Sequence, residues 1–256
     1  MIKVKSISER RANEVIELLE PNYPLDIYSL CKQIGIEIID YYNLNVDGYL
    51  YRDINCKLIL VDKKIKNNGK KRFVIAHELG HYFLHTKDTL QICAGISEAF
   101  DKHSIISDSE KQANEFAAEL LAPLDIVENK IPNRKLKFDD ISSLANLFDV
   151  SITSMAIKCV KNSKTESETL LCYKNNALQW YASSEDEYHN RHLPTSAPYG
   201  SVLYDVLNGI NESLQKKVNP NVWNNYDGEV NEEVLMVGGN TWLVLLSGYK
   251  SENYLL

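Results

Sequence analysis

The stretch Ala76-His77-Glu78-Leu79-Gly80-His81 carries the pattern HExxH inside an amphipathic run from about Lys70 to His85. On a helix, residues four apart share a face, so the imidazoles of His77 and His81 can reach one divalent metal. Glu78 then falls beside that metal. As a neighbour rather than a ligand, its carboxylate can take a proton from a water whose pKa the metal lowers toward neutrality. That pairing is the machinery of metal-assisted hydrolysis. The rhythm of Phe73, Ala76, Leu79, Gly80, Phe83 and Leu84 marks a buried helix, in which polar imidazoles need partners. Two incidental histidines would leave that need unmet.

Catalytic zinc sites commonly combine three protein ligands with one open position, so the histidines require a third group. His85, His103, Glu110, Glu115 and Glu119 are the downstream candidates. His85 follows His81 on the same helix, but each four-residue step turns by about 40° and moves along the axis, so three ligands in series converge poorly. Capping the helix or contacting a ligand suits His85 better. His103 lies in Thr86 to Asp108, which has no sustained period and reads as a loop near the site. Glu110 opens Glu-x-x-Ala-Asn, where Ala113 permits close helix packing and Asn114 is placed to hydrogen-bond a ligand. Glu115 and Glu119 belong to another face and read as solvated surface. Two histidines and one glutamate suit zinc, one ion per chain, although manganese or iron accepts the same ligands. Tyr82, Arg72 and His103 are open nominees for stabilising an oxyanion, and Arg72 equally suits a tie to a nearby carboxylate.

Composition bounds the remainder. With 256 residues, 44% hydrophobic and 25% charged, the chain can bury one good core or two modest ones, and two or three units are expected. A net charge of -7 argues against a broad phosphate-binding surface, so direct nucleic-acid binding is not the leading expectation. Five scattered Cys without a CxxC pair read as reduced thiols in a cytoplasm. The first residues lack the apolar core of a signal peptide, and no run approaches the roughly 18 apolar residues of a spanning helix. A soluble, cytoplasmic protein without membrane contact is expected.

Around the motif, Ser8 to Glu20 reads as a helix stopped by Pro21, and a second begins at Pro24 and is capped by Gly35. Ile36 to Tyr42, Gly48 to Arg52 and Lys57 to Asp62 read as a small sheet, and Asn67-Asn68-Gly69 marks the start of the HExxH helix. Ser107 or Ser109 can cap a helix from Glu110 to Ala122 that Pro123 ends. Asp139 to Phe148 and Ser151 to Val160 form a helix-turn-helix pattern about Asp149-Val150. Hairpins are expected around Asn175-Asn176 and Gly238-Gly239-Asn240, with a helix from Val202 to Lys216 between them. His189, Arg191 and His192 read as surface loop, and Trp180 and Trp242 as strand core.

The blocks Arg72-Phe-x-x-Ala-His-Glu-Leu-Gly-His-x-x-Leu-His85 and Glu110-x-x-Ala-Asn-x-Phe-Ala-Ala-x-Leu-Leu-x-Pro123 resemble the ImmA/IrrE family of zinc metallopeptidases. A looser resemblance runs from about Asn13 to Val160. It implies His77, His81 and Glu110 as metal ligands and Glu78 as the catalytic carboxylate. Together with the helix, strand and hairpin readings above, an α+β protein is expected: a mainly helical, zincin-like domain with a small sheet over 1–130, a helix-turn-helix-like segment over 131–162, and a smaller α+β domain over 166–256, for which the resemblance suggests a GAF-like fold. Members resemble gluzincin-type peptidases, and several look like anti-repressors that cleave a helix-turn-helix repressor or like stress-response regulators. The family often has Met where this chain has Ala122.

Two rival classes stand beside the peptidase. One is a DNA-binding regulator whose metal is structural or sensory, but Ser151-Ile-Thr-Ser-Met-Ala-Ile offers hydroxyls where base-reading residues are wanted. The other is a module that holds a repressor without cutting it.

Overall fold

The computed structural model describes residues 5–85, 107–165, 168–183, 193–210, 213–223 and 226–250. Of the loop expected from Thr86 to Asp108, residues 86–106, with His103, lie outside them, as does the His189, Arg191 and His192 cluster, while Ser107 and Asp108 belong to the start of a helix. The described residues build an α+β protein of eight helices and two sheets, divided into two compact units. Among them, no single helix is long and apolar enough to cross a membrane.

The first unit covers residues up to Ile126 together with Ala145–Ser151. Helix α1 (Ile7–Leu19) opens with a capping box, in which Ser6 Oγ accepts from the Glu9 amide at 3.2 Å and Glu9 accepts from the Ser6 amide at 2.7 Å. Helix α2 (Ile27–Gln33) starts later than Pro24 because Asp26 caps it, accepting from Ser29 N at 3.0 Å. Gly35 then turns the chain with φ +73. Strands β1 (Glu37–Tyr41), β2 (Gly48–Arg52) and β3 (Lys57–Asp62) follow the expected runs and lie in the order β1-β3-β2, with β1 parallel and β2 antiparallel to β3. Strand β2 is therefore an edge.

Helix α3 (Asn68–Leu84) is capped by Asn67, whose Oδ1 accepts from Lys70 N at 2.8 Å. Its Val74, Ile75, Ala76 and Leu79 join Leu50, Ile59 and Val61 in one core. Burial of each large aliphatic side chain contributes about 1.5–3 kcal/mol. Helix α4 (Asp108–Leu121) adds Phe116, Ala117, Leu120 and Leu121 to that core; Ser107, one of the two expected caps, caps it, so it starts two residues before Glu110, and it leads through Pro123 into α5 (Leu124–Glu128). The turn after α6 (Phe138–Phe148) also belongs to this unit. Asp149 adopts φ 49 there, and Arg72 holds it, with Nη1 at 3.3 Å from Asp149 Oδ2 and Nη2 donating to Phe148 O at 3.4 Å.

The second unit comprises Val127–Leu144 and residues from Ile152 onward. Strands β4 (Glu168–Lys174), β5 (Ala177–Ser183), β6 (Gln215–Val218), β7 (Tyr226–Gly238) and β8 (Thr241–Lys250) form an antiparallel sheet in the order β5-β4-β8-β7-β6. Asn175 and Asn176, with φ 50 and 62, make the first hairpin turn, whose requirement for positive φ Asn tolerates. Leu171, Tyr173, Val234, Val244 and Leu246 pack under Trp223 and helix α8 (Val202–Leu207), while α7 (Ile152–Lys161) lies against β4 and β5. The expected helix to Lys216 is corrected here. It stops at Leu207 because Gly209 takes φ +65, and Gln215–Val218 pairs with β7 instead.

Candidate metal centre

His77, Glu78 and His81 are all buried, at 2%, 1% and 1% exposure. Their helix crosses α4 so closely that His77 Nε2 lies 3.1 Å from Glu110 Oε2 and His81 Nε2 lies 3.2 Å from Glu110 Oε1. The two Nε2 atoms are themselves 3.1 Å apart. Asn114 sits one turn beyond Glu110, with Oδ1 2.9 Å from His77 Nδ1, so the ring nitrogen donates and the amide oxygen accepts. His81 Nδ1 lies 3.0 Å from His85 Nδ1, and His85 Nε2 lies 3.0 Å from Gln112 Oε1. His85 is thus the C-cap residue of α3, with one ring nitrogen on His81 Nδ1 and the other on Gln112.

The charges in this trio are coupled. Burial is the largest influence on His77 and opposes its charge, but Glu110, Glu78 and Asn114 together outweigh it and raise its pKa. Burial lowers the pKa of His81, and Glu110 does not offset it beside His77 and His85. Burial also works against the Glu110 carboxylate, yet the two imidazoles hold its pKa down to about 2. The two Nε2 atoms lie 3.1 Å apart and each faces its own oxygen of Glu110, so charging both rings would bring like charges into contact. When both Nδ1 atoms bear the hydrogens, two nitrogen lone pairs and two carboxylate oxygens converge. Converging lone pairs repel unless a cation lies among them. The ligand atoms of His77, His81 and Glu110 all fall within 4.8 Å of one another, so the group could hold a metal ion. The N, N, O donor set fits a borderline divalent cation.

Over residues 31–159, half of its length, the sequence matches the peptidase family described as the IrrE N-terminal-like domain. The chain belongs to that family. Family members are metallopeptidases, in keeping with the converging His, His and Glu group. An uncharacterized immunity region protein 2 of Bacillus phage phi105 is 32% identical to this chain, with 48% of this chain and 79% of that protein aligned. A Mycobacterium tuberculosis transcriptional regulator of known structure matches with a TM-score of 0.58 over 96% of this chain and 77% of its own. At 14% identity that likeness concerns the fold alone.

Within this IrrE-like domain, two glycines escape a reading by residue type. A Cβ at Gly80 would meet Ala113 Cα at 2.9 Å and Ala113 O at 3.0 Å, so only glycine lets α3 and α4 approach this closely. A Cβ at Gly48 would lie 2.4 Å from Val74 Cγ1 and 2.9 Å from Glu78 Oε1, which makes the edge strand β2 a wall against the Glu78 carboxylate. A glycine inside a helix or at a strand start is the available signal for such approaches. Arg52 is equally silent in sequence. It binds the C-terminal end of α3, donating to Tyr82 O at 3.3 Å and to His85 O. Of the oxyanion nominees, Arg72 is engaged at the Asp149 turn and Tyr82 OH accepts from Lys57 Nζ at 3.0 Å. Glu119 is corrected: it is 2% exposed, not solvated surface, and both its oxygens accept from Leu124 N at 3.1 Å. Glu115 remains exposed and accepts from Ser6 Oγ at 3.0 Å.

Proposed function

We propose that this chain is a zinc-dependent endopeptidase acting on a regulatory protein, with a helix-turn-helix repressor as the substrate class, working in the cytoplasm with one zinc per chain. The observation that carries the reading is the convergence of His77, His81 and Glu110 from two helices beside a buried Glu78. The family match supports peptide hydrolysis, and the immunity region named in the phage relative supports a regulatory substrate. His77, His81 and Glu110 are the proposed ligands, and Asn114 orients His77 by accepting its Nδ1 hydrogen. When bound, zinc supplies Lewis acidity that acidifies water and polarises a carbonyl.

Glu78 follows a ligand directly in sequence and is no member of the converging set, so its carboxylate is the proton carrier. It accepts a proton from the attacking water and returns it to the amine nitrogen that leaves as the peptide bond breaks. Gly48 and Val74 restrict where that carboxylate can stand. Burial of His77, Glu78 and His81 limits the access of bulk water to the proton path, while Glu110 stays partly exposed at 18%.

The test mixes zinc-loaded protein with a helix-turn-helix repressor encoded beside it and follows cleavage on a gel. The wild type should cut, whereas Glu78→Gln should keep zinc and partner binding and cut about 10²- to 10⁴-fold more slowly. Equal action by Glu78→Gln would replace hydrolysis with the holding or DNA-binding alternatives.

A further inference from the structure

We infer that Gln112 and His85 form a relay that holds His81 in the tautomer with hydrogen on Nδ1, so that its Nε2 lone pair faces the metal position before a metal arrives. The inference rests on the ligand role proposed for His81, and it assigns positioning roles to two residues outside the ligand set. The chain of contacts is continuous: Gln112 Oε1 to His85 Nε2 at 3.0 Å, then His85 Nδ1 to His81 Nδ1 at 3.0 Å. A carbonyl oxygen can only accept, so His85 Nε2 carries the hydrogen. A neutral imidazole has one N–H, which leaves His85 Nδ1 as an acceptor. The nitrogen facing it, His81 Nδ1, must then donate. His81 Nε2 is left bare, 3.1 Å from His77 Nε2 and 3.2 Å from Glu110 Oε1.

The opposite polarity would defeat the site. If the relay ran backwards, His81 Nε2 would carry the hydrogen and donate to Glu110, and binding a metal would first require a tautomer change. His77 needs no such relay, because Asn114 Oδ1 accepts from its Nδ1 directly. His81 sits one turn further along α3, and His85, at the helix terminus, fills the gap to α4. Two backbone hydrogen bonds anchor His85 in that place. Its N–H donates to His81 O at 3.1 Å, and its carbonyl accepts from the Arg52 guanidinium.

Two measurements test the relay. In the metal-free, ¹⁵N-labelled wild type, long-range imidazole NMR correlations should show neutral His81 with its hydrogen on Nδ1. Gln112→Leu and His85→Phe should lose that preference, while Gln112→Glu, whose side chain can only accept, should keep it. Zinc affinity by chelator competition should fall about 10- to 100-fold in His85→Phe and in Gln112→Leu, and should be retained in Gln112→Glu. A role in packing alone would not separate Gln112→Glu from Gln112→Leu in tautomer. The relay is overturned if metal-free His81 carries its hydrogen on Nε2, or if Gln112→Leu leaves both the tautomer and the zinc affinity unchanged. A wild type that binds no zinc yet shows the Nδ1–H tautomer would support the relay and sink the metal reading instead.

Discussion

Gly80→Ala isolates the helix crossing on which the candidate centre depends. Its new Cβ would stand 2.9 Å from Ala113 Cα and 3.0 Å from Ala113 O, both backbone atoms. Carbon pairs are comfortable at about 3.5–4.0 Å, so α3 and α4 must part by roughly 0.6–1.1 Å. Glu110 lies one turn before Ala113 and His81 directly follows Gly80, so the gaps of 3.1 and 3.2 Å between the imidazoles and the carboxylate widen by a similar amount. Metal sites tolerate about 0.2 Å in ligand distance. Zinc affinity should drop by about 10- to 100-fold, equivalent to roughly 1.4–2.7 kcal/mol. The overpacking itself costs about 1–3 kcal/mol, offset by about 1 kcal/mol because alanine favours the helix over glycine. Gly69→Ala makes the matched control, since its Cβ meets nothing nearer than 3.4 Å. Urea denaturation of the two variants, with zinc competition in parallel, separates the clash from propensity. Ala113→Gly should not rescue Gly80→Ala, because the two nearest obstacles are backbone. A Gly80→Ala protein with wild-type stability and zinc affinity would refute this reasoning.

Three further outcomes follow from the geometry. Gly48→Ala should displace the Glu78 carboxylate 2.9 Å away and slow repressor cleavage at least tenfold while zinc content, read by elemental analysis, stays constant. Glu110→Gln should weaken zinc binding, whereas Glu119→Gln should leave it intact and cost about 1 kcal/mol of stability through a weaker bond to Leu124 N. In the second unit, burial raises the pKa of Glu232 from 4.5, despite the hydrogen bonds from Leu203 N at 3.0 Å and Trp223 Nε1 at 2.8 Å. The folded state then holds that proton more tightly than the unfolded chain. The resulting stability is fully present below pH 4.5 and is lost as pH rises through the folded pKa. Wild-type stability relative to Glu232→Gln, from denaturation at several pH values, should therefore decline over that interval and then level off. A flat difference would remove Glu232 as its source.

Much of this protein is legible locally. The HExxH spacing places His77 and His81 on one face because helix geometry repeats every turn, and Asn67 and Ser107 start their helices through side-chain oxygens that accept from backbone amides, while Pro123 follows the end of α4. Asn175-Asn176 likewise announces its hairpin, since both residues accept positive φ. Resemblance of two short blocks is enough to point to the family. What the sequence could not decide was every distance across elements. Glu115 and Glu119 look alike on paper, yet one is exposed beside Ser6 and the other is buried against the amide that follows Pro123. The helix expected from Val202 to Lys216 yields to a strand because Gln215–Val218 finds hydrogen-bond partners in β7, further along the chain. Gly48, Arg52 and Gln112 carry no motif of their own, and Gly80 sits at a free position of the HExxH pattern. Their meaning arises only where β2, α3 and α4 meet, because steric exclusion and hydrogen-bond polarity belong to pairs of atoms that the fold, and not the order of residues, brings within a few ångströms.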